Sequence, residues 1–187
     1  MPEGEVVLWW GQPDPDVWLT REDRYLIPLG VLFTLFPIAM LILWLAIPSA
    51  KVSGFPVWTA APFVLVGLYL AFLRLFVKRA LKRRTVYVLT ENWAAFATGS
   101  RDLGATERKN WTGIVEHSTD GQHITVTFGI FVEPRPWATK RALAPNTGLD
   151  FMDFFDRLPV AFYDVADVDG LTAALGRVGI GAPERLN

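Results

Sequence analysis

From Tyr25 to Ala50 the chain carries no charged residue, and from Val52 to Leu73 it again carries none. Neither stretch has a polar face at helical or strand spacing. A helix needs ~20 apolar residues to cross ~30 Å of hydrocarbon. The pattern therefore predicts two membrane helices, over residues 25–48 and 56–78, rather than two helices in a soluble core. Pro28 falls in the first turn of the first helix, where a missing N–H costs little. Pro37 falls near its middle and predicts a kink. The connector from Pro48 to Pro56 is short and rich in turn residues, so the helices are expected as antiparallel neighbours. Small residues such as Gly67, Ala61 and Ala71 would permit helix packing if the hairpin itself is the working interface with another membrane protein. Trp44 and Trp58 flank the connector as aromatic interface anchors would.

Beyond the second helix the periodicity changes. Thr85–Thr90 and Trp93–Thr98 are rich in strand-forming residues on either side of a Glu91-Asn92 turn. Gly99–Gly104 reads as a turn cluster and Thr106–Asn110 as a polar stretch leading to Trp111–His117. Asp120-Gly121 is a hairpin signal. After it, Ile124, Val126 and Phe128 alternate with Thr125 and Thr127, as in a half-buried strand. Residues 132–148 read as a long loop. Phe151, Phe154, Phe155 and Leu158 share a helical face, Val160–Val165 is a short apolar stretch, and Asp167 caps a helix whose Val168, Leu171, Leu175 and Val178 line up. Gly179 and Gly181 stop it. Meandering strands closed by a terminal helix predict a small barrel or sandwich with the helix on an open end. The expected divisions are 1–24, an N-terminal segment; 25–78, the hairpin; and 79–187, a soluble β-rich domain.

Charge supports this division. Residues 1–24 hold six acids and two bases, residues 25–73 hold Lys51 alone, and residues 79–187 hold thirteen of each sign. Mean hydropathy over the 187 residues is +0.27. Arg21 and Arg24 precede the first helix. Arg74, Lys78, Arg79, Lys82, Arg83 and Arg84 close the second, and Arg74 is expected to reach the interface by snorkelling. By the positive-inside rule both termini are cytoplasmic. The long acidic leader does not resemble a signal peptide, so the first helix is read as retained.

The order of several short motifs resembles that of bacterial membrane-anchored proteins with a PH-like domain. Residues 5–13, Glu-Val-Val-Leu-Trp-Trp-Gly-Gln-Pro, resemble the leader that precedes the hairpin in that family. Gly67-Leu68-Tyr69-Leu70 resembles a recurring patch in its second helix. Arg84-Thr85-Val86-Tyr87-Val88-Leu89-Thr90 resembles its first PH-like strand, and Phe162–Leu171 its last strand and helix entry. The resemblance implies a bent barrel of about seven strands with a C-terminal capping helix, in a multi-pass protein of the bacterial inner membrane. Family members follow the first strand with an Asn-Arg-Arg-like turn. Here Glu91-Asn92-Trp93 takes its place and lacks two bases.

Chemistry is sparse. With no cysteine and two histidines, disulfides, zinc–thiolate sites, iron–sulfur clusters and cysteine nucleophiles are excluded. No phosphate-loop, G-x-S-x-G or H-E-x-x-H sequence occurs. Asp150, Asp153 and Asp156 read as a solvated helix face, and His117 and His123 as members of an ordinary strand pair. No catalytic, cofactor or metal residues are assigned. A net charge of −1 offers no field for nucleic acid. Arg79, Lys82, Arg83 and Arg84 form the candidate site for anionic lipid headgroups. The partners expected are the bilayer and a membrane or cytoplasmic protein, with oligomers allowed. The function expected is a non-catalytic, membrane-anchored interaction module. The alternative is an accessory subunit of a transporter or membrane enzyme that works through the hairpin.

Overall fold

The computed structural model describes residues 4–20, 23–46, 57–99, 102–111, 113–118, 121–129, 146–148 and 160–180. The predicted Phe151–Leu158 helix, its aspartates and Gly181 lie outside them. Two compact units emerge: a helical unit holding Trp18–Lys78 and residues 146–148, and a β-rich unit combining residues before Trp18 with those from Arg79 onward.

In the helical unit, α1 spans Asp23–Ala46. The second helix opens with a short 3-10 turn, Val57–Thr59, followed by α2, Ala60–Leu68. A π-helical turn, Tyr69–Leu73, then leads into α3, Arg74–Lys82, whose residues from Arg79 belong to the β-rich unit. Two helices, Asp23–Ala46 and Ala60–Lys82, are long and apolar enough to cross a membrane. Because α1 begins at Asp23, Pro28 sits in its second turn, one turn deeper than the sequence suggested. The helices cross at two glycines. A Cβ on Gly30 would lie 2.8 Å from the Gly67 carbonyl oxygen, and one on Gly67 would lie 2.7 Å from that of Gly30. Only bare backbone fits there. Ala71 is buried beside this crossing, but Ala61 is exposed, and its neighbour Ala60 packs inward instead.

The β-rich unit contains two antiparallel sheets. Strands β1 (Val7–Gly11), β2 (Thr85–Thr90), β3 (Trp93–Thr98) and β4 (Asp102–Glu107) form one in that order. Strands β5 (Ile114–His117), β6 (Ile124–Thr127) and β7 (Ala161–Val165) form the other. Helix α4 spans Val168–Arg177. The described strands do not close into a barrel.

Two expectations change. The leader, set apart in the sequence, supplies β1, which pairs with β2 from Val7 opposite Thr90 to Gly11 opposite Tyr87. The expected turn and polar stretch around Gly104 is largely strand β4. Gly104 faces Phe96 across the β3–β4 pair. A Cβ there would come within 2.7 Å of that ring's Cζ, so the glycine seats an aromatic side chain rather than making a turn.

The core is aromatic. Phe162 on β7 stacks on Tyr87 of β2 at 4.7 Å, meets Phe128 edge-on at 4.7 Å, and lies 5.8 Å from Trp9 of β1. Leu89, Ile124, Val126, Leu171 and Leu175 complete it. Such ring pairs add ~0.5–1.5 kcal/mol beyond their area burial. The Asp167 cap forms as its position predicts: Oδ1 accepts from the Gly170 N–H at 3.1 Å, and Oδ2 accepts from Trp9 Nε1 at 2.9 Å. One carboxylate thus ties α4 to the leader strand. Gly179, in the left-handed region at φ 81°, ends the helix.

Candidate functional site

Arg74, Lys78 and Lys82 recur every four residues, which places them along one face of α3. All three are buried, at 0%, 2% and 4% exposure. An unpaired ion in such surroundings costs several kcal/mol, so each must meet a partner.

In the helical unit that partner is Asp23, 1% exposed at the start of α1. The antiparallel register that sets Gly30 against Gly67 also brings Asp23 to Arg74, seven residues further along each helix. Asp23 Oδ1 pairs with Arg74 Nη1, and Oδ2 pairs with Lys78 Nζ at 3.3 Å. Arg74 Nε donates to the Leu70 carbonyl at 2.5 Å, and Nη1 to the Thr147 carbonyl at 2.9 Å. Lys78 Nζ also donates to Thr20 Oγ1 at 3.1 Å and the Trp18 carbonyl at 3.3 Å. Asp23 Oδ2 accepts from the Thr20 N–H at 2.6 Å. Tyr69, in the π-helical turn, donates its hydroxyl to the Gly148 carbonyl at 2.5 Å. Residues 146–148 are thus held against the second helix by Tyr69 and Arg74. Arg74 does not snorkel: its side chain is buried, with Nε and Nη1 engaged by protein groups.

In the β-rich unit, Lys82 Nζ pairs with Asp164 Oδ2 at 2.6 Å and donates to the Val17 carbonyl at 2.8 Å. Asp164 lies in β7 at φ 48°, a left-handed conformation that aspartate tolerates better than most residues. Its carbonyl accepts from the Asp14 N–H at 2.8 Å, and its own N–H donates to Thr125 Oγ1 at 3.3 Å. Arg79 pairs with Asp16 at 2.7 Å, both more open to solvent. His123 Nε2 lies 2.9 Å from Asp14 Oδ2. The Asp14 carboxyl is held below its ordinary value of 3.8, first by the Asp16 N–H on Oδ1 and then by the bond to His123. Residues 13–17 are therefore fastened to β7 by backbone, to the end of α3 through Asp16 and the Val17 carbonyl, and to His123, just before β6, through Asp14.

This geometry divides the basic residues that the sequence grouped for lipid. Lys82 does not belong with them, because it is buried against Asp164. Arg79 is engaged by Asp16. Arg83 and Arg84, in the turn between α3 and β2, are exposed. Of the two tryptophans expected as interface anchors, Trp58 is exposed and Trp44 half-buried. Among the leader tryptophans, Trp9 enters the core, Trp10 faces out and Trp18 meets Phe76 edge-on at 5.6 Å. His117 is exposed while His123 is buried, so the two histidines have different surroundings. Among the described residues no group of three or more His, Asp or Glu is placed to hold a metal ion.

Sequence reasoning missed Asp23 and Asp164 as partners. Four-residue spacing of cations on a helix that must be antiparallel to one opening with aspartate was the available signal for Asp23. Nothing local pointed to Asp164, whose pairing depends on tertiary contact. No protein-family model, curated protein or solved structure matches the chain.

Proposed function

We propose that this chain is a non-catalytic interaction module, held at the inner face of a bacterial membrane by its two helices, with a PH-like domain as its working part. The observation that carries the reading is the apolar surface of the helices. Leu32, Leu35, Phe36, Ile42, Leu65 and Phe72 are all exposed, and only 17% and 22% of the two apolar windows are buried. Core helices of a soluble protein would bury those side chains; lipid is the solvent in which they are stable. Both termini are assigned to the cytoplasm by the bases around Arg24 and Arg79–Arg84. The PH-like reading draws on the six antiparallel strands β2–β7 among the described residues, in two sheets followed by α4. In this reading Thr85–Thr90, which resembles the first strand of the family, is second in its sheet because the leader adds one.

The partner-binding element in this reading is β5, at the edge of its sheet among the described residues. Its Ile114, Glu116 and His117 are exposed, and strand edges accept peptides through main-chain hydrogen bonds. The hairpin alternative is less favoured, because Gly67 and Ala71 are occupied against α1 rather than left for another protein. Photo-crosslinkers at Glu116 and at Leu65, each in the full chain in native membranes, separate the two. Protein adducts from position 116 support the module. Adducts from position 65 alone would favour the accessory subunit.

A further inference from the structure

The four-stranded sheet is apolar on both faces. Its inner face carries Trp9, Tyr87, Leu89, Ala94 and Phe96 into the core. The strand registers set Trp10, Val88, Ala95 and Ala105 in one row across the opposite face. Val86 stands opposite Ala97 in a second row. Trp93 stands opposite Glu107, whose carboxylate pairs with Lys109. An antiparallel sheet with one face in water normally alternates apolar-in with polar-out. Here Trp10 is 69% exposed and Ala105 is also exposed, Val86, Val88, Trp93 and Ala97 are half-buried and Ala95 is buried, on a face where Glu107 is the charged residue in these rows.

We propose that this outward sheet face is a bilayer-contacting surface, with Trp10 and Trp93 at headgroup depth and Arg83 and Arg84 on anionic headgroups. The inference rests on the membrane reading above. Three observations select lipid as the occupant. Four strands spaced ~4.8 Å apart, each five or six residues long at ~3.3 Å per residue, present an area of about 300 Å². A stable protein–protein interface takes ~800 Å² from each partner, so the face is too small to hold a second copy by itself. A bilayer requires no matching shape, and tryptophan favours its interface. Next, β2 begins at Thr85, three residues after Lys82 closes the second apolar helix, so the chain confines this strand near the end of that helix. Finally, the exposed bases Arg83 and Arg84 lie in that joint, directly after the second apolar helix, and an anionic surface is felt over ~8 Å at physiological salt.

The absence of cysteine allows single spin labels. The full chain is reconstituted in mixed phosphatidylglycerol–phosphatidylethanolamine vesicles with labels at Ala97 or Ala105. Gln122 serves as the aqueous reference and Leu35 as the hydrocarbon reference. Accessibility to a nickel chelate should be several-fold lower at 97 and 105 than at 122. R83Q combined with R84Q should raise it toward the value at 122. Because both arginine side chains are exposed, that pair should leave the fold intact. Nickel access at 97 and 105 equal to that at 122, with Leu35 still shielded, would overturn the inference and leave the membrane reading standing. Shielding at 97 accompanied by label-to-label broadening would overturn it in favour of a second copy. Nickel access at Leu35 itself would overturn the membrane reading first.

Discussion

At Asp23 one carboxylate serves two buried cations, Arg74 and Lys78. Removing one partner of a buried pair costs about 3–5 kcal/mol, because the remaining charge stays desolvated. Asp23→Ala should therefore destabilise the detergent-solubilised chain by that order in an unfolding titration. Adding Arg74→Met should recover part of the loss, and Arg79→Met should recover none. Asp14 makes a pH prediction. Its folded-state value is depressed, so its contribution is fully present above the ordinary aspartate value of 3.8 and is lost as pH falls through the lower folded value. Asp14→Asn should flatten this acid-side fall, which a comparison of melting curves with the parent across the acid limb will reveal. These roles were legible only in part. The spacing of Arg74, Lys78 and Lys82 shows that they share a helix face, but not that the face is inward. Charge alone suggests solvent, and it took the glycine-set register and the fold of β7 to supply the acids.

Elements with strong local pattern were legible and those defined by partners were not. Strands β2 and β3, the α4 cap and both long helices follow from periodicity and turn chemistry. Strand β1 did not follow, because five residues of leader have no strand identity until β2 offers an edge. Strand β4 was hidden by Gly104, whose usual turn meaning is displaced by the Phe96 ring. The packing makes two predictions. Leu171 is fully buried on α4, so Leu171→Asp should cost several kcal/mol by burying a charge without a partner, measured by denaturant unfolding. A melting profile equal to the parent's would show that α4 is not packed as described. Gly67→Val must push against the Gly30 carbonyl and the Thr34 backbone, and overpacking of this kind costs ~1–3 kcal/mol. The same change at Gly176, where an added Cβ meets nothing within 4 Å, should disturb packing far less. Thermal denaturation in detergent compares the two.

For the whole molecule, the helices explain why the chain is so apolar, and the leader explains why the β-rich unit is not confined to residues after the hairpin. A soluble piece beginning at Val77 would lack β1 and with it Trp9, which fills the core and holds the α4 cap. The anchored-module account requires the two apolar helices to cross the membrane together, with the β-rich unit on the cytoplasmic side. Single cysteines at Ser53, in the connector, and at Glu116, on exposed β5, test this in intact cells with an impermeant thiol reagent. The account predicts labelling at 53 and none at 116 until the membrane is opened. Labelling at 116 in intact cells would contradict it.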